Sequence, residues 1–252
     1  MHHEEESTYI PQDYTASIAE ALAQNGLTGA DSAEALRMLS DFENELLRVN
    51  RHMNLTAICD PGQIARKHFA DSIALERFIP QSAHMIDIGS GAGFPAIPIA
   101  AVRQDLRVTA LDGTAKRVNF MRGAIEAAGI PNCGAVAGRA EELAKDPLFR
   151  EGFDVATARA VARLNVLCEL CLPFVKVGGV FIAMKSVLAD EELKEAKKAI
   201  HVMGGKLAGI ERFTLCAGEE EPLERVFIRI EKLRPTDPRY PRAYAQISKK
   251  PL

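Results

Sequence analysis

The stretch His84-Met-Ile-Asp87-Ile-Gly89-Ser-Gly91-Ala-Gly93-Phe94-Pro95 runs a short apolar strand into three glycines. Glycines there let the backbone turn at positive φ and let a ligand lie against main-chain atoms that a Cβ would block. A dinucleotide site has Gly-x-Gly-x-x-Gly. Counted from Gly89, its third glycine belongs at position 94, where Phe94 stands. Gly-x-Gly-x-Gly after an acidic strand residue suits a ligand without a pyrophosphate, such as S-adenosylmethionine. A tight strand-to-helix turn that binds nothing is the plain alternative. Asp112 ends the next apolar run, Arg107 to Leu111, about 20 residues past the loop, where a ribose-binding acid sits. A carboxylate there can accept both ribose hydroxyls, or it can simply cap the helix expected from Thr114.

Other chemistry-bearing residues are fewer. Lys185 ends one apolar strand and Arg159 lies just past another, so both belong at the carboxyl edge of the sheet, where ligands bind in open α/β folds. Both are candidate catalytic residues, although a solvated strand-end arginine is equally ordinary. His68 lies within Arg66-Lys-His-Phe-Ala-Asp71-Ser72, as a substrate contact or a surface histidine, and Asp71 can pair with Lys67 one turn earlier. Cys168-Glu-Leu-Cys171 has CxxC spacing inside an apolar helical stretch without a second pair, which reads as buried thiols. No Ser-His-Asp or metal-ligand arrangement stands out.

The elements that position these residues follow from periodicity. Residues 14–80 read as helical, with Leu36, Leu39, Phe42, Leu46 and Val49 on one stripe and Asp31 or Ser32 as cap. Pro61-Gly62 is a break, and a third helix follows over 63–78. From Ala83 to Lys232 short apolar runs alternate with amphipathic segments, the pattern of βα units. Strands are expected near 84–88, 107–111, 133–137, 153–158, 179–184, 207–214 and 225–231, with clear helices at 114–128 and 190–203. This gives a three-layer α/β domain over 81–233, preceded by a helical extension over 1–80. The remainder, 234–252, is a proline-rich tail that should form no regular helix. Between Lys232 and Leu252 six basic residues face one acid, in a chain of 252 residues whose net charge is −3.

Composition narrows the setting. At 47% hydrophobic and 26% charged the chain is globular, and no apolar run approaches the ~18 residues of a spanning helix. Glu4, Glu5 and Glu6 stand where a secretory leader would be basic, and five scattered cysteines fit reduced thiols, so a cytoplasmic protein is expected.

Taken in order, several segments resemble one family, the bacterial 16S ribosomal RNA guanine-N7 methyltransferases called RsmG or GidB. They are Asn50-Arg-His-Met-Asn54-Leu-Thr56, Arg66 to Ser72, Asp87 to Pro95, Leu111-Asp-Gly-Thr-Ala-Lys-Arg117, Gly138-Arg-Ala-Glu-Glu142, Ala158-Arg-Ala160 and Ser248-Lys-Lys-Pro-Leu252. The resemblance implies a Rossmann-like class I methyltransferase sheet, S-adenosylmethionine as cofactor, and 16S rRNA or the 30S particle as partner, with no membrane and a monomeric enzyme. It implies that Gly89, Gly91, Gly93 and Phe94 meet the cofactor through the loop. Asp112, Gly113 and Thr114 would hold the ribose side, Ala140 and Glu141 would border the adenine, and Arg159 would complete the pocket. Ala96 stands where glycine is expected, and Gly113 where a serine or acid is usual.

Guanine N7 carries an in-plane lone pair, unprotonated at neutral pH, so in-line methyl transfer needs alignment rather than an obligatory general base. Because N7 and O6 form an acceptor pair, a cation is the natural reader, and Arg159 and Lys185 are the candidates. RNA attraction falls to the basic tail and to Arg66-Lys67. A small-molecule methyltransferase with the same cofactor site is the alternative; a nicotinamide dehydrogenase and a non-catalytic RNA-binding module follow.

Overall fold

The computed structural model describes residues 9–159, 161–186, 189–216, 218 and 220–252. The acidic start at Glu4 to Glu6 and Ala160 lie outside the described residues. Helices α1 (Thr15–Gln24) and α2 (Ala33–Met53) come first. On α2 the stripe residues Leu39, Phe42 and Leu46 are buried, and Ser32, not Asp31, is the cap, accepting from the Ala35 N–H. The same face buries Glu43, whose carboxyl has no hydrogen-bond partner; burial, with Asp60 nearby, pushes it up to about 8.

The single helix expected over 63–78 is instead a composite. α3 (Pro61–Ile64) continues into a π-helical stretch, Ala65–Ala70, then α4 (Asp71–Ile73) and a 3₁₀ turn at Glu76–Phe78. Pro61 begins this helix rather than breaking the chain: at the first helical position its missing N–H is no loss, and Asp60 caps the Gln63 N–H. The wider π turn changes the angle at which His68 and Asp71 leave the helix relative to a straight α-helix, and such turns gather at functional sites.

The sheet elements then follow in order. They are β1 (His84–Ile88), α5 (Ala96–Val102), β2 (Arg107–Asp112), α6 (Ala115–Ala127), β3 (Cys133–Ala137), α7 (Ala140–Leu143) and β4 (Phe153–Arg159). After these come α8 (Leu164–Cys171), β5 (Val175–Lys185), α9 (Ala189–Val202), β6 (Gly205–Leu215), β7 (Leu223–Lys232) and α10 (Tyr244–Lys249). Strand order is β3-β2-β1-β4-β5-β7-β6, with β1 to β5 parallel and β7 antiparallel to both neighbours. All seven expected strands are present; β5 starts at Val175 rather than 179, because an irregular register with β4 carries the strand through Gly178-Gly179. Alternation along the strands sends Met85, Val108, Val155 and Ile182 into one core with α1, α2, α5 and α6. Ile86, Leu111, Ala156 and Phe181 enter the other with α8 and α9. The helices before the sheet therefore cover one of its faces. Cys168 and Cys171 are buried free thiols in the opposite layer.

The tail departs from expectation. Pro241 and Pro251 leave room between them for α10, so a short regular helix does form, packed through Ile247. Two of its counted cations are structural. Lys232, fully buried, donates to the Leu172 carbonyl at 2.6 Å and to Thr236 Oγ1 at 2.7 Å, and burial pushes its ammonium down to about 8. Arg242 pairs at 2.6 Å with Glu169, which is buried in α8. Among the described residues no helix is long and apolar enough to cross a membrane.

Candidate active site

The strand order reverses between β1 and β4, and ligands in open α/β sheets bind outside the carboxyl ends at such a switch point. The glycine loop leaves β1 there. It is tied to β2 by Gly89 and Ser90 N–H groups donating to the Leu111 carbonyl at 2.8 and 3.0 Å. Gly91 has φ +59° and no heavy atom closer than 4.0 Å to where a Cβ would stand, so its Cα faces open space. Gly93 differs: a Cβ there would meet Ile97 Cδ1 at 2.4 Å, so this glycine serves helix packing.

Asp112 is buried at the end of β2 and binds both turns. Its Oδ2 accepts from the Gly91 N–H at 3.0 Å and its Oδ1 from the Thr114 N–H at 2.8 Å. Thr114 is itself the N-cap of α6, so this bond closes the turn ahead of the helix and is not a helix cap. Gly89, Gly91, Phe94, Asp112, Gly113, Thr114 and Arg159 line a cavity of about 440 Å³. Beside it, Gly113, Ala140 and Glu141 line a narrower slot of about 130 Å³, with Tyr244 of α10 in its wall. Arg139 bridges the two, its Nε on Glu141 Oε1 at 3.3 Å and its guanidinium over the Tyr244 ring at 5.0 Å. A Cβ at Gly113 would stand 3.3 Å from Arg139 Cδ and Nη1, so the Arg139 side chain packs closely over this glycine. Of the expected cofactor residues, Gly93 alone lines neither space.

These residues fit a nucleoside joined to an amino acid. The slot offers a carboxylate between apolar walls, the larger cavity an exposed glycine backbone, and Asp112 retains about two of its four lone-pair positions.

Leu55, Thr56 and His68 of the helical layer complete the rim. Asn50 shapes the following turn by accepting from the Leu55 and Thr56 N–H groups at 2.6 and 3.0 Å, which brings Thr56 to the cavity. Thr56 Oγ1 lies 2.9 Å from His68 Nε2, and the imidazole packs on Phe94 with centroids 4.6 Å apart. Burial, and Arg159 beside it, push His68 down to about 4, so it is neutral at physiological pH. Asp71 does not pair with Lys67, which instead meets Glu220; it binds Arg159 at 3.2 Å and Arg225 at 3.0 Å. Below the loop, Asp87 accepts from Thr157 Oγ1 at 2.9 Å, and burial pushes it up to about 7.

A family model described as GidB, rRNA small subunit methyltransferase G, matches residues 35–219. The chain belongs to the GidB family. It is 43% identical over 215 residues to ribosomal RNA small subunit methyltransferase G of Lactobacillus delbrueckii subsp. bulgaricus, covering 84% of this chain and 89% of that one. The relative of the same name in Brevibacillus brevis is 42% identical over 237 residues, covering 93% and 98%. Among solved structures, an O-methyltransferase from Bacillus cereus in complex with SAH has a TM-score of 0.52 at 18% identity, covering 75% of this chain and 90% of that one. The [4+2]-cyclase SpnF has a TM-score of 0.53 at 13% identity, covering 69% and 83%. That these two share the fold but not the reaction leaves the chemistry to the site.

In this GidB-family chain the two expected readers differ in place. Arg159 stands in the wall of the 440 Å³ cavity, its guanidinium 5.1 Å from the Phe94 ring centroid. Lys185 reaches the sheet edge, but its Nζ donates to the Ala162 carbonyl at 2.6 Å and pairs with Glu192 at 2.6 Å. Sequence alone assigns no role to Arg139, inside the Gly138–Glu142 segment, or to Val161, two residues past Arg159, while Arg225 and Tyr244 carry no local signature and are brought in by β7 and the tail.

Proposed function

We propose that this chain transfers a methyl group from S-adenosylmethionine to N7 of a guanine in 16S rRNA, acting as a cytoplasmic monomer on the small ribosomal subunit. The observation that carries the reading is the cradle of Gly91 backbone and Asp112 carboxylate at the switch point, in a chain of the GidB family. S-adenosylmethionine, when bound, supplies a sulfonium-activated methyl group. Asp112 would accept from the two ribose hydroxyls and Glu141 from the adenine amino group, and Phe94 with Gly89 and Gly91 would border the amino-acid portion. Arg159 closes the wall on the acceptor side.

The protein removes no proton, since N7 presents a free lone pair. His68 is neutral near pH 7 and puts no imidazolium beside a base that becomes cationic on methylation. What the residues supply is alignment and exclusion of water. Exposed Arg239, Lys249 and Lys250 of the tail attract the RNA backbone. The test offers labelled S-adenosylmethionine to small-subunit particles that lack the modification, and maps the product. Label at N7 of one guanine is expected; label at another atom, or only in small molecules, would refute the proposal.

A further inference from the structure

Across Arg159 from the cofactor-side cavity lies a second one, of about 650 Å³, in the range of small-ligand sites. The two share His68, Arg159 and Val161 as a common wall. Met184 and Phe227 supply apolar surface in the second cavity, and Arg225 points its guanidinium there beside Asp71. β7 runs antiparallel to β5, so its first residues return to the carboxyl edge of the parallel strands, where Val226 is level with Lys185. That reversal delivers Arg225 to the site from the far end of the sequence.

We propose that this second cavity holds the acceptor guanine and that Arg225 is the residue that reads its O6, with Asp71 as the positioning residue. The proposal rests on the guanine-N7 reading above. Of five guanidinium N–H groups, Arg225 spends Nε–H on Asp71 Oδ1 at 3.0 Å and one Nη1–H on the Glu224 carbonyl at 3.2 Å, leaving three. Lys185 has two contacts on its ammonium already. A guanidinium aimed at O6 leaves N7 free to meet the methyl donor where the two cavities adjoin, at His68, Arg159 and Val161.

Charge supports the same residue. The base gains a positive charge at N7, and two unscreened arginines would oppose it. Asp71 is buried and divides its two oxygens between Arg159 and Arg225, so the three groups together carry one positive charge. Lys185 is matched by Glu192 and Arg163 by Glu195. The cavity thus keeps a donor fork for O6 without a strongly positive interior.

The experiment compares single-turnover methylation of particles carrying guanine or 2-aminopurine, which lacks O6 and keeps N7, at the acceptor position. Wild-type protein is expected to prefer guanine, and Arg225→Ala to lower kcat/KM for guanine at least about tenfold while shrinking that preference towards unity. The intrinsic difference between the bases cancels in the ratio of preferences. Cofactor affinity by calorimetry, which also reports folding, should stay within about twofold. Arg225→Lys keeps charge but loses the fork, and should recover part of the rate. Asp71→Asn should lower the preference with Arg225 still present. A full guanine preference in Arg225→Ala would overturn the assignment. If Arg225→Ala is unfolded by calorimetry, the preference of Arg225→Lys decides: unchanged from wild type, it refutes the reading. Absence of N7 methylation by wild-type protein would instead strike the underlying activity.

Discussion

Replacing Asp112 by alanine removes the carboxylate that holds the cradle. Two of its roughly four lone-pair positions are filled by the Gly91 and Thr114 N–H groups, which leaves two for a ribose diol. A hydrogen bond to a charged group is worth about 1.5–3 kcal/mol, so losing one weakens binding about tenfold or more, and losing both by up to about 10³-fold or beyond. The turn loosens as well, since two N–H groups lose their acceptor. Asp112→Asn should fare no better, because its NH₂ must face one of those N–H donors. Calorimetry with S-adenosylhomocysteine gives the dissociation constants, and a 2′,3′-dideoxyribose analogue isolates the diol. Wild-type protein should discriminate against the analogue and Asp112→Ala should not. Equal discrimination by both proteins would refute the ribose role even if overall affinity fell.

Other consequences follow from the buried charges and the tail. Glu43 binds its proton in the fold up to about pH 8, against an ordinary value of 4.5. Its contribution to stability is therefore full below about 4.5 and lost as pH rises through about 8, a change on the order of 4 kcal/mol. Urea unfolding from pH 5 to 9 should show this decline, and Glu43→Gln should flatten it; an equal slope in the variant would rule Glu43 out. Arg242→Ala leaves buried Glu169 without its cation and should cost about 3 kcal/mol, read by the same assay. Neutralising Lys249 and Lys250 together should flatten the log-affinity versus log-salt slope for single-stranded RNA by about 1.4, at roughly 0.7 per phosphate. An unchanged slope would leave them off the RNA path. Single-turnover rate at saturating cofactor should be flat from about pH 6.5 to 8.5, because His68 titrates near 4; a midpoint near 7 would point to Asp87 and contradict a base-free transfer.

Much of the fold was legible because its signals are local. Two-residue alternation marks strands, three-and-four spacing marks α2 and α6, and three glycines beyond Asp87 mark the loop. The composite helix from Pro61 was not legible, since a π turn follows from packing rather than from any residue type. The tail misled for a related reason: a charge count cannot distinguish Lys232, sealed in the core, from Lys249, exposed on α10. Proline spacing also hid a helix short enough to fit between Pro241 and Pro251.

That an α/β sheet ends in a glycine turn facing an acid can be read from the chain alone, because those signals lie within a few residues or one βα unit. Which cations are spent on carboxylates depends on packing between distant segments. Asp71 and Arg225 are 154 positions apart and meet through the reversal of β7. Ion pairing depends on distance in space, and no periodicity along the chain encodes it.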